Sequence, residues 1–211
     1  MHEHLSAQGT VLTVDLPGFG GTPKPKGSIN IGDMAEVLGD TIDELGATNV
    51  VLVGHSMGAQ WVTELANKRP ELASALVLIG PVVNDRRRNF FVQATRLLRD
   101  ALRESPKTNW IAITDFWRCG LPWYLRQTRY MLSYPIEQRL AKVRVPVLVL
   151  RGARDPIANM QWCQRLTGHA HDGSLAVVPG HAHVVQHTAP VEVAERILAF
   201  VARCSTRDAT T

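Results

Sequence analysis

One ten-residue stretch, Val50-Val51-Leu52-Val53-Gly54-His55-Ser56-Met57-Gly58-Ala59, limits what this chain can fold into. Val50 to Val53 read as a parallel strand buried on both faces, apolar throughout and without alternation. The strand runs into Gly-x-Ser-x-Gly, and a helical pattern begins at Ala59. Ser56 therefore sits in a sharp strand-to-helix turn. Gly54 and Gly58 lack a Cβ and let strand and helix approach closely around it. The turn lifts the hydroxyl clear of the sheet, and the free N–H groups of the helix point at it. The Met57 N–H stands where it can donate to an oxyanion formed by attack of Ser56. The same five residues also arise by chance, as a glycine-rich turn with a capping serine. The chemical reading needs an acid and then a histidine further along the chain.

The flanking sequence repeats the alternation of strand and helix. Val11–Asp15 reads as a short strand, followed by a loop, Leu16-Pro17-Gly18-Phe19-Gly20-Gly21-Thr22-Pro23. A dinucleotide fingerprint would need glycine at position 23 and a helix opening there; Pro23 excludes it. Ile31, Met34, Val37, Leu38, Ile42 and Leu45 recur at helical spacing, with Asn30 as N-cap and Gly46 as stop. Ala59–Lys68 reads as a helix ended by Arg69-Pro70. Ala75–Ile79, Val145–Leu150 and Leu175–Val178 read as further strands. Ala158–Leu166 is predicted helical, and Pro190 opens a last helix through Val201, with a frayed tail over 205–211. Between residues 82 and 140 no parallel-type strand is seen. That segment holds helical pieces, with Phe90, Phe91, Leu97, Leu98 and Leu102 on one of them. It also holds an aromatic cluster of Trp110, Phe116, Trp117, Trp123, Tyr124, Tyr130 and Tyr134, and reads as a helical cap inserted into the core. The expected organisation is a core of residues 1–81 and 141–211 with a cap over 82–140. The fold class is α/β, a mostly parallel sheet covered by helices on both faces.

Composition narrows the function. The chain has 211 residues, 45% of them hydrophobic, which suits one globular domain. No apolar run approaches the ~20 residues that cross a bilayer, and Met1-His2-Glu3-His4-Leu5 does not resemble a signal peptide. With 23 basic and 19 acidic residues the net charge is +4. The one dense basic run, Arg86-Arg87-Arg88, reads as a solvated face, and no nucleic acid partner is expected. Cys119, Cys163 and Cys204 form no C-x-x-C pair and suit reduced thiols in a cytoplasmic protein.

Ser56, Asp155 and His183 each follow a predicted strand at its carboxyl end, and in a parallel sheet those ends share one edge. A serine needs a base within hydrogen-bond reach, a histidine can take and return its proton, and a carboxylate behind the histidine fixes its tautomer. His181, two residues from His183, is the competing base. Asp85 is a competing acid, and Asp172 is expected at the surface. His169-Ala170-His171-Asp172 and His181-Ala182-His183 lack partners at zinc-ligand spacing, so neither a metal nor a cofactor is expected.

Four segments together resemble the α/β-hydrolases of lipase and esterase type. They are Asp15-Leu16-Pro17-Gly18-Phe19-Gly20, Gly54-His55-Ser56-Met57-Gly58, Arg151-Gly152-Ala153-Arg154-Asp155-Pro156 and Pro179-Gly180-His181-Ala182-His183. The resemblance implies Ser56 as nucleophile, Asp155 as acid, His183 as base and the Met57 N–H in the oxyanion hole. It also marks a departure: about five strands are present where such folds have eight, and the missing strands are N-terminal. The His-Gly segment that carries the second oxyanion donor is missing with them. A longer hydrolase read from a misplaced start is one expectation. On the sheet, either Val11–Val14 moves across to pair with Val50–Val53 or that edge stays open. The expected activity is hydrolysis of a small apolar carboxylic ester through an acyl-enzyme, with Trp117 and Trp123 shaping an apolar pocket. Hydrolysis of a carbon–carbon bond by the same triad and a non-catalytic ligand-binding role are the alternatives.

Overall fold

A computed structural model of the protein describes residues 1–82, 110, 114 and 117–208. Asp85, the Arg86–Arg88 run, the helical set from Phe90 to Leu102 and Phe116 lie outside the described residues. The elements before the second strand are α1 (His2–Ser6), α2 (Ile31–Glu44), β1 (Val50–His55), α3 (Gly58–Lys68) and a short 3-10 turn. They continue with β2 (Ala73–Ile79), α4 (Leu121–Ser133), α5 (Ile136–Leu140), β3 (Val147–Gly152), α6 (Met160–His169), β4 (Gly173–Val178), α7 (Val185–Thr188) and α8 (Pro190–Asp208).

The four strands form one parallel sheet in the order β1-β2-β3-β4. The apolar runs hide a two-sided division. Leu76, Leu78, Val147 and Val149 pack into one core with Leu65, Ile136, Leu140 and Trp162. Their neighbours Ala75, Val77, Ile79, Leu148 and Leu150 pack into another with Val185, Val193, Ile197 and Phe200. A strand buried on both faces needs apolar residues at every position, which is why periodicity alone gave no facing. Because Ile136 and Leu140 lie in the first core, α5 belongs to the layer that covers the sheet.

Local signals explain the helix ends. The Asn30 side chain accepts from the N–H groups of Gly32 (2.7 Å) and Asp33 (3.2 Å), and Asp33 accepts from the Asn30 N–H at 2.8 Å. This closes a capping box. α6 begins at Met160 and not at Ala158, because Asn159 caps the Trp162 N–H while the Ala158 N–H is held by the Asp155 carboxylate. Helix α8 continues through the stretch expected to fray, as far as Asp208.

Val11–Asp15 corrects the expectation of a strand: it has no regular structure, and the described sheet has four strands. Val14 packs against the cluster of Leu16 and Met34 while Leu12 is 48% exposed, and strand propensity there has no ladder partner among the described residues to stabilise it. The first residues form α1, with Met1 and Leu5 packed against the core that contains Phe200. Among the described residues the outer side of β1 is an open edge, and Val53 in its middle is 36% exposed.

Candidate active site

All four strands end at one side of the sheet, and the site is assembled there. Gly54 is fixed by contact: a Cβ on it would collide with the Gly58 carbonyl oxygen. Gly58 is different, since the nearest atom to an added Cβ is Trp61 Cε3 at 3.9 Å, so close approach does not require glycine there. Ser56 has φ +54°, a left-handed backbone that L-residues seldom take. Such a conformation costs about 1–3 kcal/mol and persists where its surroundings enforce it. Here the Ser56 N–H donates to the Ile79 carbonyl across to β2 at 2.9 Å, holding the turn at the sheet's end.

The structure brings Ser56, His183 and Asp155 together. Ser56 Oγ and His183 Nε2 are 3.0 Å apart, and His183 Nδ1 and Asp155 Oδ2 are 2.8 Å apart. The carboxylate only accepts, so Nδ1 carries the proton and Nε2 is left to accept from the serine hydroxyl. Asp155 is 3% exposed and His183 5%. The second oxygen of Asp155, Oδ1, accepts from the N–H groups of Ile157 (2.7 Å) and Ala158 (2.9 Å). Burial by itself would raise the Asp155 carboxyl. His183 and the two backbone donors outweigh it and hold the carboxyl below the usual range. Gly80, with φ +53° at the end of β2, leaves the space: a Cβ there would stand 3.0 Å from the His183 ring and 3.4 Å from Asp155 Oδ2.

His181 is turned elsewhere, with its Nδ1 2.9 Å from Thr188 Oγ1. Asp172 precedes β4, at the opposite end of the sheet, and its carbonyl accepts from Val147 N–H. His171 meets Arg144 at 2.9 Å. Among the described residues no group of three or more His, Cys, Asp or Glu could hold a metal ion. Met57 is the N-cap of α3. Trp117 is 77% exposed, and Trp123 is buried with Leu16, Met34 and Cys119. A cavity of about 410 Å³ is lined by Asn30, Glu64, Tyr130, Tyr134 and Arg139 among others, and by none of the three site residues. Its polar groups serve each other, with Tyr134 O–H donating to Glu64 at 2.8 Å and Arg139 paired to the same carboxylate.

Two residues of the site were not assigned from sequence. Arg151, 3% exposed, donates to the carbonyls of Ala158 (2.7 Å), Asp155 (3.0 Å) and Ala153 (3.3 Å), bracing the loop that carries Asp155. His55 donates from Nε2 to the His183 carbonyl. The only signal for either was its place inside a recognised motif.

A parallel sheet bearing a serine, a histidine and an aspartate in hydrogen-bond sequence at its carboxyl edge defines a class, and comparison with known proteins agrees. The alpha/beta hydrolase family model matches residues 1–196, and the chain belongs to this family. The chain is 22% identical over 218 residues to (E)-2-((N-methylformamido)methylene)succinate hydrolase of Acinetobacter baylyi, covering 94% of this chain and 82% of that protein. It is 28% identical over 224 residues to the dihydrolipoyllysine-residue acetyltransferase component of the acetoin cleaving system of Pseudomonas putida. That match covers 95% of this chain and 58% of the relative, so the chain spans little more than half of that longer protein. The fold is similar to that of a thermophilic esterase from Thermogutta terrifontis, with a TM-score of 0.70 and 21% identity over 96% of this chain and 83% of the other. No helix among the described residues is long and apolar enough to cross a membrane.

Proposed function

We propose that this chain is a serine hydrolase that cleaves a small, apolar carboxylic ester through an acyl-enzyme. The observation that carries the reading is the unbroken path from the Asp155 carboxylate through the His183 ring to the Ser56 hydroxyl. Ser56 Oγ attacks the carbonyl carbon as His183 Nε2 takes its proton. The Met57 N–H, at the start of α3, donates to the oxyanion. The tetrahedral intermediate then expels the alcohol, which receives the proton from His183, and water repeats the sequence on the acyl-Ser56 ester. Asp155 stays ionised throughout and stabilises the imidazolium. The reaction is set in the cytoplasm and calls on no cofactor or nucleic acid.

A fluorophosphonate probe tests the reading, since it reacts only with an activated serine. Labelling of the Ser56 peptide, abolished in Ser56→Ala, is the expected result; a folded sample that stays unlabelled would overturn it. The bond cleaved is a separate matter. The Acinetobacter relative is named for a substituted methylenesuccinate and not for a simple ester, which favours a second reading in which the same triad cleaves another bond, a carbon–carbon bond of a vinylogous diketone among them. A panel of p-nitrophenyl esters beside such diketones separates the two. Stabilisation by these ligands without turnover would instead mark a binding protein.

A further inference from the structure

His183 has to reach across the sheet. It lies on the turn after β4, whereas Ser56 follows β1, three strand positions away in the order β1-β2-β3-β4. At the usual spacing of ~4.8 Å between strands, that is a span of roughly 14 Å. On its own side the turn is well fastened: the Arg154 N–H donates to the His181 carbonyl at 2.9 Å, and the Val184 carbonyl accepts from His187 and Thr188 in α7. At the far side the His183 ring meets Ser56, but that contact changes whenever Nε2 takes or gives a proton.

His55 supplies a contact there that does not change. Its Nε2 is 3.1 Å from the His183 carbonyl oxygen, and the two imidazole rings are tilted against each other with centroids 4.8 Å apart. A carbonyl can only accept, so His55 carries its proton on Nε2 and donates. Burial, reinforced by the neighbouring His183, pushes the His55 pKa down to about 3, so it remains neutral with one fixed donor wherever the enzyme works. We infer that His55 is a positioning residue. It ties the backbone of the base to the end of the strand that carries the nucleophile, and so holds His183 within reach of Ser56 through the proton transfers. Asp155 fixes the ring, and His55 fixes the main chain behind it. The inference rests on the reading of Ser56 as nucleophile and His183 as base.

Three variants test it. His55→Phe keeps a ring and loses the donor; His55→Gln places an amide N–H near the Nε2 position; His55→Asn is too short to do so. With p-nitrophenyl acetate, His55→Phe and His55→Asn should lower kcat about 10–100-fold with KM changed less than about twofold, as a misplaced base does. His55→Gln should recover kcat to within about fivefold of the parent. A folded His55→Phe with parental kcat overturns the inference, as does an equal loss in His55→Gln, which would show that an N–H restored at that place does not restore the rate. If His55→Phe does not fold, His55→Gln against His55→Asn decides in the same way. Should the parent protein neither label nor turn over, the functional reading fails. The tether is then read by hydrogen exchange at Ala182 to Val184, which should quicken in His55→Asn; unchanged exchange would sink it.

Discussion

β1 and β3 are nearly the same strand on paper and quite different in the molecule. Val50-Val51-Leu52-Val53-Gly54-His55 and Val147-Leu148-Val149-Leu150-Arg151-Gly152 are both six residues long, apolar and parallel, and both run into a loop that carries a site residue. Every residue of β3 is buried, whereas β1 is half-covered and Val53 is 36% exposed. β3 has neighbours on both sides and layers on both faces. β1 is paired only to β2 among the described residues. The loop beyond β3 is correspondingly overdetermined, with Arg151 on three carbonyls and Asp155 on two N–H groups. Beyond β1, the left-handed Ser56 leans on the Ile79 carbonyl, and His55 holds a loop from the other side of the sheet. The well-braced half fixes Asp155, and the strand at the edge carries Ser56.

The largest expected effect that sharpens this contrast lies at the end of β3. Asp155→Asn should keep the fold and lower turnover roughly 10³–10⁴-fold, because the amide no longer holds His183 in the tautomer that accepts from Ser56. Near-parental turnover of p-nitrophenyl acetate by this variant would break the assignment of the acid. Next comes the stability of the strands themselves. Leu150→Ala, at a site with 0% exposure, should cost about 2–5 kcal/mol in urea unfolding. Val53→Ala should stay within about 0.5 kcal/mol, and equal losses would mean that β1 is covered in solution.

The last effect concerns pH. His55 is ordinary in the unfolded chain, near 6.5, and about 3 in the fold, so between those values the unfolded state binds the extra proton. Stability therefore falls as pH drops through this window, by at most about 1.4 kcal/mol per unit. Asp155 adds a loss of the same sign at lower pH, as its depressed carboxyl becomes protonated. His55→Gln should flatten the first part of the slope in unfolding measured from pH 7 to 4, and an unchanged slope would remove His55 from the account.

Much of the arrangement was legible because parallel sheets obey a simple rule. A buried apolar run gives a strand, the residues just after it lie at one edge, and Ser56, Asp155 and His183 each follow such a run. Asn30 and Asp33 gave the start of α2 because a capping box is local in sequence. The limits were equally physical. Val11–Val14 has the composition of a strand, yet pairing depends on a neighbour that composition does not show. Arg151 and His55 stood in recognised motifs without a role, since the partners of Arg151 are backbone carbonyls of a loop and that of His55 is a carbonyl 128 positions away. Gly58 was assigned a close contact that belongs to Gly54 alone.

By itself the sequence determined the four apolar runs that pair as β1 to β4, the chemical types at their ends and the order in which they come, because these depend on apolar runs, caps and turns within a few residues. The tertiary structure alone decided that β1 lies at the edge of the described sheet, that Val11–Asp15 stays out of it, and that His55 meets the His183 carbonyl. Those outcomes depend on contacts between segments that only folding brings within hydrogen-bond distance.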